Sequence, residues 1–157
     1  VYVDTTQGHN TGLAIANPGG NASEVSVAAF ADDGNTSAGT ADPSPIQLKA
    51  RGQSARFATE LVQGLPANFT GVLDLQSVTP FAALTLRSLT NSRGEFLLTT
   101  FPIADLDRPA PDPVIFPQIA DGGGIRTQFI LINPGDNSVI NIRFYDDQGS
   151  PAGIGSP

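Results

Sequence analysis

The stretch Thr11-Gly-Leu-Ala-Ile-Ala-Asn17-Pro-Gly19 decides the reading of this chain, because it returns as Thr127-Gln-Phe-Ile-Leu-Ile-Asn133-Pro-Gly135. Just downstream, Val25-Ser-Val-Ala-Ala-Phe-Ala-Asp32-Asp33-Gly34 returns as Ile140-Asn-Ile-Arg-Phe-Tyr-Asp146-Asp147-Gln-Gly149. Asn17 and Asn133 lie 116 positions apart and Gly34 and Gly149 lie 115 apart, so the second copy is one residue shorter between the two segments. A spacing of that size is a whole domain and not a solenoid unit. The 157 residues therefore read as one full module and roughly the first third of another.

Within the repeat, Leu13 and Ile15 share one face of a strand and become Phe129 and Leu131, while Ala14 and Ala16 become Ile130 and Ile132. Apolar groups on both faces point to an inner strand covered on two sides. Val25, Val27 and Ala29 alternate in the next strand and are replaced by Ile140, Ile142 and Phe144, preserving the period of two that a pleated strand imposes. Asn-Pro-Gly closes the first strand in each copy and an acidic, glycine-terminated turn closes the second.

Five further strands are placed at 45–49, 54–58, 71–77, 81–90 and 96–101. The 81–90 segment alternates Ala82, Leu84 and Leu86 against Thr85 and Arg87. A short helical turn is placed at 60–64. Gly and Pro together supply 30 residues, spread as punctuation, which favours short strands and tight turns. The expectation is an all-β, antiparallel immunoglobulin-like β-sandwich of about seven strands over 1–101, followed by the first strands of an incomplete copy. Five prolines between 102 and 117 make 102–116 an extended connector, with the partial repeat at 117–157.

A glycine-rich lead-in, Gly122-Gly-Gly124, an apolar strand ending in Asn-Pro, a second strand ending in an Asp-rich Gly turn, and a Pro-rich connector together resemble the tandem Ig-like β-sandwich repeats of secreted bacterial surface and fibre proteins. The resemblance implies an extracellular structural or adhesive role.

Charge and composition narrow the classes. A net charge of −7, with Lys49 the sole lysine and seven scattered arginines, argues against nucleic acid and anionic membrane surfaces as partners. No apolar run approaches the ~20 residues of a spanning helix, so no membrane insertion is expected. Without cysteine there is no disulfide frame, thiolate nucleophile or Cys-based metal site. Val1 is not an initiator methionine, which fits a processed secreted protein or a piece of a longer one.

Chemistry-bearing groups are few. His9, the one histidine, is replaced by Ile125 in the second copy and is read as a loop residue without a catalytic role. Three glutamates and twelve aspartates, the latter mostly in turns, do not assemble a recognisable catalytic pair, and neither a cofactor motif nor an enzyme is read from them. Asp32, Asp33, Asp146 and Asp147 are the calcium candidates, set against the commoner role of acidic turns in solubility. Asn21, Asn35 and Asn68 open Asn-x-Ser/Thr acceptors for covalent glycans.

The leading expectation is a structural subunit of an extracellular filament, polymerising as head-to-tail copies. Phe129, Leu131, Ile140, Ile142 and Phe144 would lie on two strands, 127–133 and 139–146, that complete a sheet in a neighbouring subunit or module. The alternative is an adhesin or carbohydrate-binding module cut from a tandem array.

Overall fold

The structure is a computed structural model that describes residues 1–41, 45–108, 112–133, 135 and 138–153. The chain divides into two compact units, Val1–Pro109 and Ala110–Pro157. The division lies within the expected connector, of which Pro109 and Pro111 fall outside the described residues. Ile103 packs against the first unit's core, so that unit runs past the boundary expected at 101.

The first unit is built from β1 (Tyr2–Asp4), β2 (His9–Ala16), β3 (Ser23–Ala31), β4 (Thr40–Ala41), β5 (Ile46–Leu48), β6 (Gln53–Phe57), α1 (Ala58–Leu61), β7 (Val62–Gln63), β8 (Thr70–Gln76), β9 (Ala82–Thr90) and β10 (Phe96–Phe101). Two antiparallel four-stranded sheets, β1-β8-β3-β5 and β10-β9-β2-β6, form the sandwich, and β4 pairs with β7 in a small ribbon. The segments expected as strands overlap β2, β3, β5, β6, β8, β9 and β10, within a total of ten strands among the described residues. The short β1, β4 and β7 were not expected.

Strands β1, β2 and β3 alternate between the sheets, and the pairings β3 with β5, β2 with β6 and β1 with β8 are nested one inside the next. β8 also lies beside β3, and β9 beside β2.

The core follows from strand alternation. Val25 and Ala29 of β3, Leu73 of β8 and Ile46 and Leu48 of β5 face Leu13 and Ile15 of β2, while Val3 of β1 closes one edge and Ala58, Leu61, Val62 and Phe69 pack around them. Each fully buried Val, Leu or Ile contributes about 1.5–3 kcal/mol.

One facing was left open by the alternation and one departs from expectation. In β9 the inward residues are Thr85, which lies opposite Leu13, and Arg87, which lies opposite Thr11; Leu84 and Leu86 point out. The outer face of β2 is only partly covered: Gly12 is buried between the Phe57 ring and Leu86, whereas Ala14 and Ala16 are half-buried.

In the second unit the strands expected at 127–133 and 139–146 do not form ladders among the described residues; single bridges join Gly122 to Ile125 and Tyr145 to Pro151. The physical reason is that a strand is held by its neighbours. β2 needs β6 and β9, and β3 needs β5 and β8, all of which come later in the module than the part repeated here. Pro134 lies outside the described residues.

Candidate functional site: the duplicated strand and turn motif

Four local devices of the first module recur in the tail with the same atoms. The first is the turn before β2. His9 N–H donates to the Thr6 carbonyl (2.8 Å), as Ile125 N–H does to Gly122 (3.0 Å).

The second is a threonine clamp. Thr11 Oγ1 accepts from the Asp4 amide (3.0 Å) and donates to the Asp4 carbonyl (3.2 Å); Thr127 Oγ1 accepts from the Ala120 amide (3.0 Å) and donates to the Ala120 carbonyl (2.8 Å). A hydroxyl serves here because it is both donor and acceptor.

The third is the asparagine corner. Asn17 Oδ1 accepts from Gly19 N–H (2.8 Å), and Asn133 Oδ1 from Gly135 N–H (3.2 Å). In the first copy the corner also reaches across the module: Asn17 Nδ2 donates to the Asn21 and Lys49 carbonyls (2.7 and 3.1 Å), and its amide donates to Gly52 (2.9 Å). Asn17 is buried, so those contacts satisfy groups that water cannot reach.

The fourth is the acidic hairpin. Gly34 N–H donates to Ala31 (2.9 Å) and Gly149 N–H to Asp146 (3.0 Å), with φ of +71° and +80°, where a side chain would be strained. Ala38 N–H then donates to Ala29 and Ala152 N–H to Phe144, both at 2.9 Å, with a bridge beside each, Phe30 to Ser37 and Tyr145 to Pro151. The second hairpin is one residue tighter.

What does not recur is burial. Ile15 is 2% exposed and its counterpart Leu131 is 51%; Val25 is fully buried and Ile140 is 55% exposed. Ile142 is exposed as well, while Phe129 and Phe144 are half-buried. Phe129 meets Phe116 edge-on, ring centroids 4.9 Å apart. The five residues expected to drive assembly therefore lie within the one unit, and three of them are exposed.

The acids serve their own turns. Asp33 Oδ1 accepts from the Asn35 and Thr36 amides (2.9 and 2.8 Å) and its Oδ2 from the Thr36 hydroxyl. The Thr36 hydroxyl, then the Thr36 and Asn35 amides, hold its carboxyl below the ordinary value. Asp32 Oδ2 accepts from Thr70 (2.7 Å), and Asp146 Oδ1 accepts from the Gln148 and Ser150 amides (3.0 and 2.8 Å). Asp147 is exposed. Among the described residues no three His, Cys, Asp or Glu side chains converge as a calcium or zinc site would require.

Asn21, Asn35 and Asn68 all lie exposed in loops. Asn35 Nδ2, the atom a glycan would occupy, donates to the Asp33 carbonyl at 3.3 Å.

His9 begins β2 instead of lying in a loop, and its Nδ1 is buried without a hydrogen bond. Sequence reading missed the nearby pair of Asp4 and Arg87. Asp4 Oδ2 accepts from Arg87 Nη2 at 2.6 Å across the two sheets, and its Oδ1 accepts from the Thr6 amide and hydroxyl (2.9 and 2.7 Å). Burial pushes the Asp4 carboxyl up, but the Thr6 donors and the Arg87 guanidinium outweigh it and hold the carboxyl below its ordinary value. The available signal was the odd polar pair Thr85 and Arg87 in a leucine-rich strand. Ala120 stands where the second copy would need the acid.

Comparison with protein-family models, curated proteins and solved structures returned no match. No helix among the described residues is long and apolar enough to cross a membrane.

Proposed function

We propose that this chain is a structural module of an extracellular filament or surface fibre, assembled from head-to-tail copies through its partial second repeat. One observation carries the reading: the tail keeps four local devices of the module yet leaves exposed apolar positions that the first copy buries, as Ile15 against Leu131 and Val25 against Ile140 show. Strands supplied by a neighbouring subunit or module, standing where β6, β8 and β9 stand in the first copy, would give 127–133 and 139–146 their ladders. At ~25 cal/mol per Å2 of apolar surface, covering these side chains contributes several kcal/mol, roughly, per contact formed.

The test is to compare the full chain with one ending at residue 116 by negative-stain electron microscopy. Filaments from the full chain and single particles from the shorter one are expected. Filaments from both would contradict the reading.

A further inference from the structure

A sheet edge offers unpaired N–H and C=O groups, and folds blunt their edges with short strands, charges or proline. Three of the four sandwich edges follow that rule. β1 and β5 have three residues each, and β6 carries Arg56 within the strand. The fourth does not. β10 is six residues long, reads Phe96-Leu-Leu-Thr-Thr-Phe101, has neither charge nor proline, and pairs with β9 on one side only among the described residues. Phe96, Leu97 and Leu98 are 64, 50 and 58% exposed, so both faces of the strand are open. A six-residue segment of that composition on an open edge is a template for strand pairing.

The backbone specifies what fits. Asn91 N–H donates to the Glu95 carbonyl (3.1 Å) at the β9–β10 turn, and Thr90 N–H donates away from β10 to Gly8 (3.0 Å). By the alternation of an antiparallel ladder, Phe96, Leu98 and Thr100 therefore direct their N–H and C=O groups to the free edge. In the antiparallel register that keeps all partners inside β10, Leu98 stands opposite Leu98 of another copy and Phe96 opposite its Thr100.

Face parity agrees. Phe96, Leu98 and Thr100 share the outer face with Leu84, Leu86, Ala14 and Phe57, a face on which the register places no charged side chain, in a chain of net charge −7. Pairing two such edges extends one uncharged sheet face across both copies and brings no like charges together.

We infer that β10 pairs antiparallel with β10 of a second copy of this chain, about a two-fold axis at Leu98, joining the two β10-β9-β2-β6 sheets into one. The contact is isologous, and it uses none of the residues of the partial repeat.

The full chain has no cysteine, so a single introduced thiol reports its own partner. A hydrogen-bonded antiparallel pair sets its Cα atoms ~5.5 Å apart, within reach of a disulfide. Phe96 and its counterpart lie two residues to either side of that axis, four positions apart along the ladder, too far apart to bridge. Under mild oxidation the Leu98→Cys chain is expected to form a disulfide dimer at least tenfold faster than the Phe96→Cys chain. Equal rates, or no dimer from either, overturn the inference. A second readout uses Leu98→Lys, an exposed substitution that sets two lysines face to face: it is expected to sediment as a smaller species than the unaltered chain at equal concentration. Unchanged sedimentation overturns the inference too. Residues 117–157 enter neither readout, so this pairing and assembly through the tail stand or fall separately.

Discussion

The two copies of one motif, β2 with its flanking turns and residues 120–135, carry matching hydrogen bonds and opposite burial. Thr11 and Thr127 clamp a backbone group seven residues upstream in the same way, yet β2 lies between β6 and β9 while 127–133 has no ladder. The difference separates what a sequence encodes locally from what it borrows. A turn, an Asn corner or a hydroxyl clamp closes within about eight residues and forms wherever its residues occur. The ladders of β2 join residues 37 to 80 positions apart, so they exist only where those segments are supplied.

The sharpest way to break the comparison is to truncate matched core positions. Ile15→Ala should destabilise the first unit by about 2–5 kcal/mol, because a fully buried side chain leaves both lost burial and a cavity. Leu131→Ala should stay within about 0.5 kcal/mol in the unassembled chain, as exposed substitutions do. Urea unfolding measures both. Equal losses would show that the tail is packed in the same way as the module.

A smaller effect is expected at the asparagine corner. Asn17→Ala removes a buried side chain and its bonds to the Asn21 and Lys49 carbonyls and should cost about 1–3 kcal/mol, whereas Asn133→Ala removes a turn bond at an exposed site and should cost about 0.5 kcal/mol or less. The melting temperatures of the two variants should differ accordingly; a matched fall in both would mean that the corner serves only its own turn.

The Asp4–Arg87 pair sharpens the contrast through pH, since the second copy has Ala120 at that place. The folded carboxyl is held below its ordinary value, so its stabilisation is present above the ordinary aspartate pKa of ~3.9 and is lost as pH falls through the folded value. Asp4→Asn should therefore lower the urea midpoint at pH 7, and its deficit should shrink below about pH 4. A deficit that is constant down to pH 2 would remove the ion pair from the account.

Much of the fold was legible. Alternation at Val25, Val27 and Ala29 located β3, and turn residues located the six other main strands and the sandwich class. The strand order was not, because pairings such as Leu13 with Thr85 join residues far apart and no local pattern names the partner. The facing of β9 was not legible for a related reason. Leu84 and Leu86 alternate with Thr85 and Arg87, and period two alone does not say which set is inside; the Asp4 carboxylate across the sheet draws Arg87 inward. β1 was missed because three residues do not display a period. At the candidate site the repeat itself was fully legible, but the unprotected edge of β10 was not, since an edge is defined by the absence of a neighbour.

Amide hydrogen exchange tests the central claim most directly. In dilute, unassembled chain, the amides of His9–Ala16 should be protected and those of 127–133 and 139–144 within the second strand should exchange close to the unstructured rate, and in assembled material the tail amides should become as slow as those of β2. Protection of the tail in the dilute chain, or continued fast exchange after assembly, would contradict the account.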